Sequence, residues 1–197
     1  MTGPRRATFG VSRAGIFFDR DGTLIRDRRY IKDPDDVELV PHASNAIRYI
    51  NYALMPVVVV TNQSGIARGL ITEQDYQRVK ARLDDLLAER NAFIDATYYC
   101  PHHPDFTGPC LCRKPGTAMF EQAIKDLNLD ASKCAYIGDR WHDIVAAKKL
   151  GGRGILVPSP STPGDEVVQA VRELEIAATL TAAVQSILGA PHPGAHE

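Results

Sequence analysis

Long apolar runs are missing from this chain of 197 residues. None approaches the roughly 20 consecutive apolar residues of a membrane helix, so no membrane association is expected. The opening MTGPRRATFGVSR is basic but lacks the apolar middle of a secretion signal, which points to a cytoplasmic protein. An excess of either charge is also missing. The 23 Lys and Arg against 24 Asp and Glu leave a formal charge of −1, with no general attraction to nucleic acid or an anionic surface. Any anionic ligand must therefore be held by local positive groups. Aromatic residues make up only 7%, too few to suggest a stacking track for single-stranded nucleic acid. Cysteine is scarce at four, yet three of the four fall between residues 100 and 112. In a reducing compartment that clustering favours a metal over disulfides. The length suits one domain, expected over residues 14–189 between a flexible arm at 1–13 and a flexible tail at 190–197. A monomer is expected.

Short apolar runs alternate with helical patterns. Strands are predicted at 15–19, 56–61, 94–99, 134–138 and 154–157. Pro41 opens a helix with the apolar stripe Ala46, Ile47, Ile50 and Leu54. Thr72 caps a second, with Asp75 at the capping-box position and Tyr76, Val79, Leu83, Leu86 and Leu87 facing inward. A third carries Phe120, Ala123, Ile124 and Leu127. A fourth runs from about 141 to 150 and stops at Gly151 and Gly152. Residues 167–174 and 180–188 suggest further helix. This alternation predicts an α/β fold of Rossmann type, a central parallel sheet with helices on both faces and no room for a large cap domain. Parallel sheets bind ligands beyond the carboxyl ends of their strands. The unusual residues lie at those ends.

Asp19 and Asp21 follow the first strand. Like charges this close repel, so holding them together calls for a metal ion, a reaction using both carboxyls, or an ordinary polar turn. A phosphate monoester repels a carboxylate nucleophile unless a cation offsets the charge, and Mg²⁺ prefers oxygen ligands of this kind. Asp19 could then attack phosphorus while Asp21 moves protons. Asp139, after the fourth strand, supplies a further carboxylate. Thr61 offers a hydroxyl, and the amides after it can face phosphate oxygens near a helix start. Lys114 is a compact cation able to neutralise a transferring group.

Asp19-Arg-Asp21-Gly-Thr23, Thr61-Asn62-Gln63-Ser64, Lys114 and Gly138-Asp139 with Asp143, in that order, resemble the four signatures of the haloacid dehalogenase (HAD) phosphatase superfamily. The resemblance covers about residues 14–157. It implies Asp19 as nucleophile and Asp21 as acid and base. It also implies Mg²⁺ on the Asp19 carboxylate, the Asp21 main-chain carbonyl and Asp139, with Asp143 orienting Lys114 or supporting the metal.

Cys100, His102, Cys110 and Cys112 form a C-x-H…C-x-C set, three thiolates and one imidazole suited to tetrahedral, structural Zn²⁺. His103 is the spare imidazole and is expected to point outward. Cys134 opens a strand and reads as a core thiol. A zinc loop just before Lys114 would hold Arg113 and Lys114 in place. This arrangement resembles the heptose-1,7-bisphosphate 7-phosphatases and the histidinol-phosphate phosphatases. TNQSGIARG and YYCPHHP are closer to the former, which implies a small phosphorylated sugar as substrate. The likeness to the heptose enzymes assigns substrate contacts to Asp27, Arg28, Arg29, Tyr30 and Arg113. Arg140 in GDRWHD is equally compatible with the histidinol-phosphate group. Arg26, Arg28 and Arg29 also read as a solvated basic turn, and His42 and Trp141 as packing or surface residues. A polynucleotide 3′-end phosphatase and a zinc-stabilised binding protein are the readings of other classes. The even charge disfavours the first, and the complete set of reactive residues disfavours the second.

Overall fold

The four valines at 57–60 are branched at Cβ and apolar in sequence, as suits a strand covered on both faces, and all four are buried in β2 (Val57–Asn62). The computed structural model describes residues 13–189. Apart from Arg13, the expected arm lies outside the described residues, as does the expected tail. β1 (Ile16–Phe18) lies between β2 and β4 (Ala135–Gly138), parallel to both. With β3 (Ala96–Cys100), β5 (Arg153–Leu156) and β6 (Glu175–Ile176) the sheet runs β3-β2-β1-β4-β5-β6, parallel throughout. The five predicted strands are present with ends moved by one or two residues. β6 was not predicted, because two residues carry no periodicity.

The helices are α1 (Ala43–Tyr52), α2 (Ser64–Ala67), α3 (Glu73–Ala88), α4 (Pro104–Thr107), α5 (Ala118–Asp126), α6 (Trp141–Ile144), α7 (Ala146–Leu150), α8 (Gly164–Glu173) and α9 (Leu180–Leu188). Successive side chains of a strand point to opposite faces, and β1 divides accordingly. Ile16 and Phe18 join Ile47 and Ile50 of α1, Val79 and Leu83 of α3, and Val184 of α9. Phe17 enters the opposite layer, with Phe120 and Ala123 of α5 and Ala147 of α7. There it stacks on Tyr136 at 5.1 Å and meets Phe120 edge-on at 5.5 Å. Burying one such ring contributes roughly 1.5–3 kcal/mol, so β1 is anchored from both sides.

Thr72 and Asp75 form the predicted capping box of α3. The Asp75 N–H donates to Thr72 Oγ1 at 3.0 Å, and the Thr72 N–H donates to Asp75 Oδ2 at 2.7 Å. Three helix expectations need correction. Leu54 lies beyond the end of α1, in left-handed backbone, and is exposed rather than part of the apolar stripe. α1 starts at Ala43, because His42 takes a left-handed backbone with φ of 64° and breaks the run from Pro41. The helix predicted at about 141–150 is two short ones. Val145 joins them, and the Lys148 N–H closes on its carbonyl in an i to i+3 turn at 3.0 Å, which interrupts the α ladder. No described helix is long and apolar enough to cross a membrane.

Candidate active site

The carboxyl ends of β1, β2 and β4 bring four predicted elements to one place. Asp19 leaves β1 with its N–H still bonded across to the Ile137 carbonyl at 2.9 Å. Lys114 arrives from the loop before α5, and its Nζ is 2.6 Å from Asp19 Oδ1, 2.7 Å from Asp143 Oδ1 and 2.6 Å from the Val60 carbonyl. Two of the ammonium's three protons go to Asp19 Oδ1 and the Val60 carbonyl, and Asp143 Oδ1 stands beside it as a second ion-pair partner. Asn62 fixes the Lys114 backbone on both sides: Nδ2 donates to its carbonyl at 3.2 Å, and Oδ1 accepts from its N–H at 3.0 Å. Hence Asn62 acts on the lysine rather than standing open to a ligand through its side chain.

The electrostatics follow from burial. Desolvation pushes Asp19 well above the usual carboxylate range, against the pull of Lys114. Burial also pushes Asp139 up, to about 6, although Ser159 Oγ donates to its Oδ2 at 2.6 Å. Burial works to lower Lys114, but Asp143 and Asp19 outweigh it and hold the ammonium charged. For Asp143 burial is likewise overcome, by Lys114 and His142, and its carboxyl lies below the ordinary range. Burial thus disfavours charge on Asp19 and Asp139, a cost that a cation beside them would offset. Oxygens of Asp19, Asp139 and Asp143 lie within 4.8 Å of one another, an all-oxygen set that suits a hard divalent cation. Gly22 has φ of 85°, and a side chain there would overlap the Asp139 carboxylate. Only glycine lets the loop after Asp21 approach so closely.

Asp21 faces the same region. Its carboxylate receives Arg20 Nε and Nη2 at 2.9–3.3 Å and Gln63 Nε2 at 2.8 Å. Gln63 Nε2 also donates to Thr61 Oγ1 at 2.9 Å, and Thr61 is buried. Ser64 opens α2, where the first N–H groups have no partner inside the helix.

The four zinc candidates converge. Cys112 Sγ lies 3.0 Å from Cys100 Sγ, 3.4 Å from Cys110 Sγ and 3.2 Å from His102 Nδ1, while Cys100 is 3.6 Å from Cys110 and 3.8 Å from His102. Ligands at about 2.0–2.3 Å from a tetrahedral zinc stand roughly 3.3–3.8 Å apart; three of these five distances lie in that window, and the two from Cys112 to Cys100 and His102 are slightly shorter. Burial pushes the Cys100 thiol up to about 12, and a thiolate there needs a cation beside it. Cys134 is buried in the core, away from this set.

His103 stands outside the cluster but does not point outward. Its Nε2 is 2.7 Å from Arg68 Nη2, its Nδ1 accepts from the Asp105 N–H at 3.3 Å, and its ring meets Phe106 edge-on. Packing against a residue 35 positions away left no local signal.

The predicted substrate contacts divide. The Asp27–Tyr30 stretch bends back through left-handed backbone at Arg29 and Tyr30, and Asp27 Oδ1 accepts from the Arg29 N–H at 2.9 Å. The Tyr30 ring then lies against Gly65 of α2. Arg26 and Arg28 pair with Glu38 at 2.8 and 3.1 Å and are about half exposed, as in a solvated basic turn. Arg29 is exposed with no ion pair among the described residues. Arg113 is partly buried and donates to the His102 carbonyl at 3.4 Å. Arg140 directs its guanidinium to Glu166 at 2.8 Å, and Trp141 packs beside Ile144, Leu156 and Ala170. A cavity of about 490 Å³ opens next to Gly22 and Thr23, with His42, Ser159 and Thr179 in its wall. Sequence reasoning missed Arg20, Ser159 and Glu166. Only Arg20 left a mark, as a charged residue at a position where strand alternation points inward.

A strand-tip aspartate, a buried lysine on it and an oxygen-rich cation site together describe a phosphomonoester hydrolase of the α/β class. Comparison with known proteins agrees. The HAD-hydrolase-like family matches residues 111–183. The D-glycero-β-D-manno-heptose-1,7-bisphosphate 7-phosphatase of Haemophilus ducreyi is 40% identical over 146 residues, 72% of this chain and 80% of the relative. The corresponding Chlorobaculum tepidum phosphatase is 40% identical over 153 residues, 72% of this chain and 77% of the relative. The D,D-heptose 1,7-bisphosphate phosphatase of B. bronchiseptica, solved with magnesium and phosphate, superposes with a TM-score of 0.80 at 29% identity, covering 89% of this chain and 98% of that one. The chain belongs to the HAD phosphatases, within the heptose-1,7-bisphosphate 7-phosphatase family. Enzymes of this class use Mg²⁺ and hydrolyse phosphate monoesters.

Proposed function

We propose that this enzyme removes the 7-phosphate of D-glycero-D-manno-heptose 1,7-bisphosphate through an aspartyl-phosphate on Asp19. The observation that carries the chemistry is the Lys114 ammonium at 2.6 Å from Asp19 Oδ1. With one oxygen held by Lys114, the other is left to attack phosphorus. As that O–P bond forms, the bond to the sugar oxygen breaks and Asp21 gives the leaving alkoxide a proton. Water then attacks the aspartyl-phosphate, Asp21 takes its proton, and inorganic phosphate and free Asp19 are released. Thr61 and the amides after it bind the phosphoryl oxygens, and Lys114 balances their charge.

Asp19, Asp139 and the Asp21 carbonyl would hold Mg²⁺, with Asp143 in support, and the ion supplies the positive charge that lets two anions approach. Cys100, His102, Cys110 and Cys112 would hold Zn²⁺ as a structural ion. Asp27, Tyr30 and Arg113 form the sugar-facing rim, while residues 61–64 serve the phosphoryl group through Thr61 Oγ1 and the amides after it. The similarity to two heptose phosphatases at 40% identity supports this substrate. The deciding experiment compares kcat/KM for both anomers of the heptose bisphosphate with that for histidinol phosphate. A heptose preference is expected, and a large preference for histidinol phosphate would overturn the assignment. Asp19→Asn should abolish turnover and covalent phosphate labelling.

A further inference from the structure

Arg20 carries a charge into the interior. It is 3% exposed, and a guanidinium taken out of water survives there only with a partner. That partner is its own chain neighbour. Nε reaches both oxygens of Asp21 at 3.3 and 3.2 Å, and Nη2 reaches both at 3.0 and 2.9 Å, a two-pronged grip. Nη2 also donates to Gln63 Oε1 at 3.1 Å, while Gln63 Nε2 donates to Asp21 Oδ2 at 2.8 Å. The guanidinium lies 5.5 Å over the Tyr76 ring of α3. Tyr76 is buried and packs in turn on Tyr99 of β3 at 4.1 Å. Arg20 and Gln63, from just beyond the ends of β1 and β2, thus meet on one carboxylate, with Tyr76 and Tyr99 packed behind the guanidinium.

We propose that Arg20 is the positioning residue for the proton-transfer aspartate, holding the Asp21 carboxylate in one orientation toward the leaving oxygen. This rests on Asp21 being the acid and base. Both fork nitrogens reach both carboxylate oxygens and Gln63 adds a further donor on Oδ2, so the carboxylate is fixed through each of its oxygens. Without the fork the carboxylate can turn about two side-chain bonds and loses its aim at the leaving oxygen.

Acid assistance matters for an alkoxide and little for a phenolate that departs unaided. The test is therefore single-turnover kcat/KM, enzyme in excess, for the heptose bisphosphate against p-nitrophenyl phosphate, in Arg20→Met, Arg20→Lys and Asp21→Asn. For Arg20→Met the sugar reaction should fall about 100-fold and the aryl reaction less than about fivefold, the size of a lost general acid. Arg20→Lys keeps the charge without the fork and should show the same bias at smaller size. It also carries the test if the Met variant fails to fold by circular dichroism. Equal losses on both substrates, or no loss, would overturn the assignment. Asp21→Asn biased with Arg20 variants unbiased rejects Arg20 alone. An unbiased Asp21→Asn rejects the acid reading beneath it.

Discussion

Asp143 Oδ1 stands 2.7 Å from Lys114 Nζ, and neither side chain is more than 2% exposed. Breaking a buried pair outright costs about 3–5 kcal/mol, and because Lys114 keeps Asp19 the lower end of that range applies. Asp143→Ala should lower the urea unfolding free energy by about that amount and reduce kcat, because Lys114 then leans on Asp19 alone. Unchanged stability would show that the pair contributes nothing net.

Asn62 should be felt in catalysis although its amide faces protein. Asn62→Leu strands the buried N–H and carbonyl of Lys114, at a cost of about 1–3 kcal/mol each. The expected kinetic signature is a fall in kcat with KM little changed, since the lysine is displaced and the sugar-facing rim is not. Steady-state assays on the purified variant check it.

Chelation should reach the active site through the chain. Cys112 lies two residues before Lys114, so opening the thiol cluster frees the segment that delivers the ammonium. Treatment with a zinc chelator, or Cys110→Ser, should release zinc, lower Tm and reduce kcat together. Full activity at zero zinc by atomic absorption would refute this.

The acid limb of stability has an identifiable contributor. Burial would raise Glu166, but Arg140 and the Trp141 N–H outweigh it and hold the carboxyl below its ordinary value near 4.5. A depressed folded pKa stabilises above the unfolded value and is lost as pH falls through the folded one. Glu166→Gln should therefore be less stable than wild type at neutral pH, with the gap closing on acidification. Urea titrations at a series of pH values will show whether the curves converge.

Much of this was legible in the sequence because the signals were local. The valines of β2 announce a strand buried on both sides. The four proposed zinc ligands sit within residues 100–112, and Asp19, Thr61 and Asp139 each end an apolar run. What escaped depends on pairing across the chain. Arg20 meets Tyr76, Ser159 reaches back to Asp139, Arg140 finds Glu166 and His103 finds Arg68. The break at Val145 escaped for another reason, since its residues suit a helix and the interruption lies in the hydrogen bonding.

The Tyr30 ring resting against Gly65 has a consequence for how such an enzyme diversifies. The reacting groups hang from the sheet, whereas Tyr30 belongs to an exposed loop that touches the sheet's apparatus at a glycine and can be exchanged without disturbing it. Under the proposed substrate assignment, rewriting that fringe would change which molecule is accepted and leave the phosphorus chemistry intact.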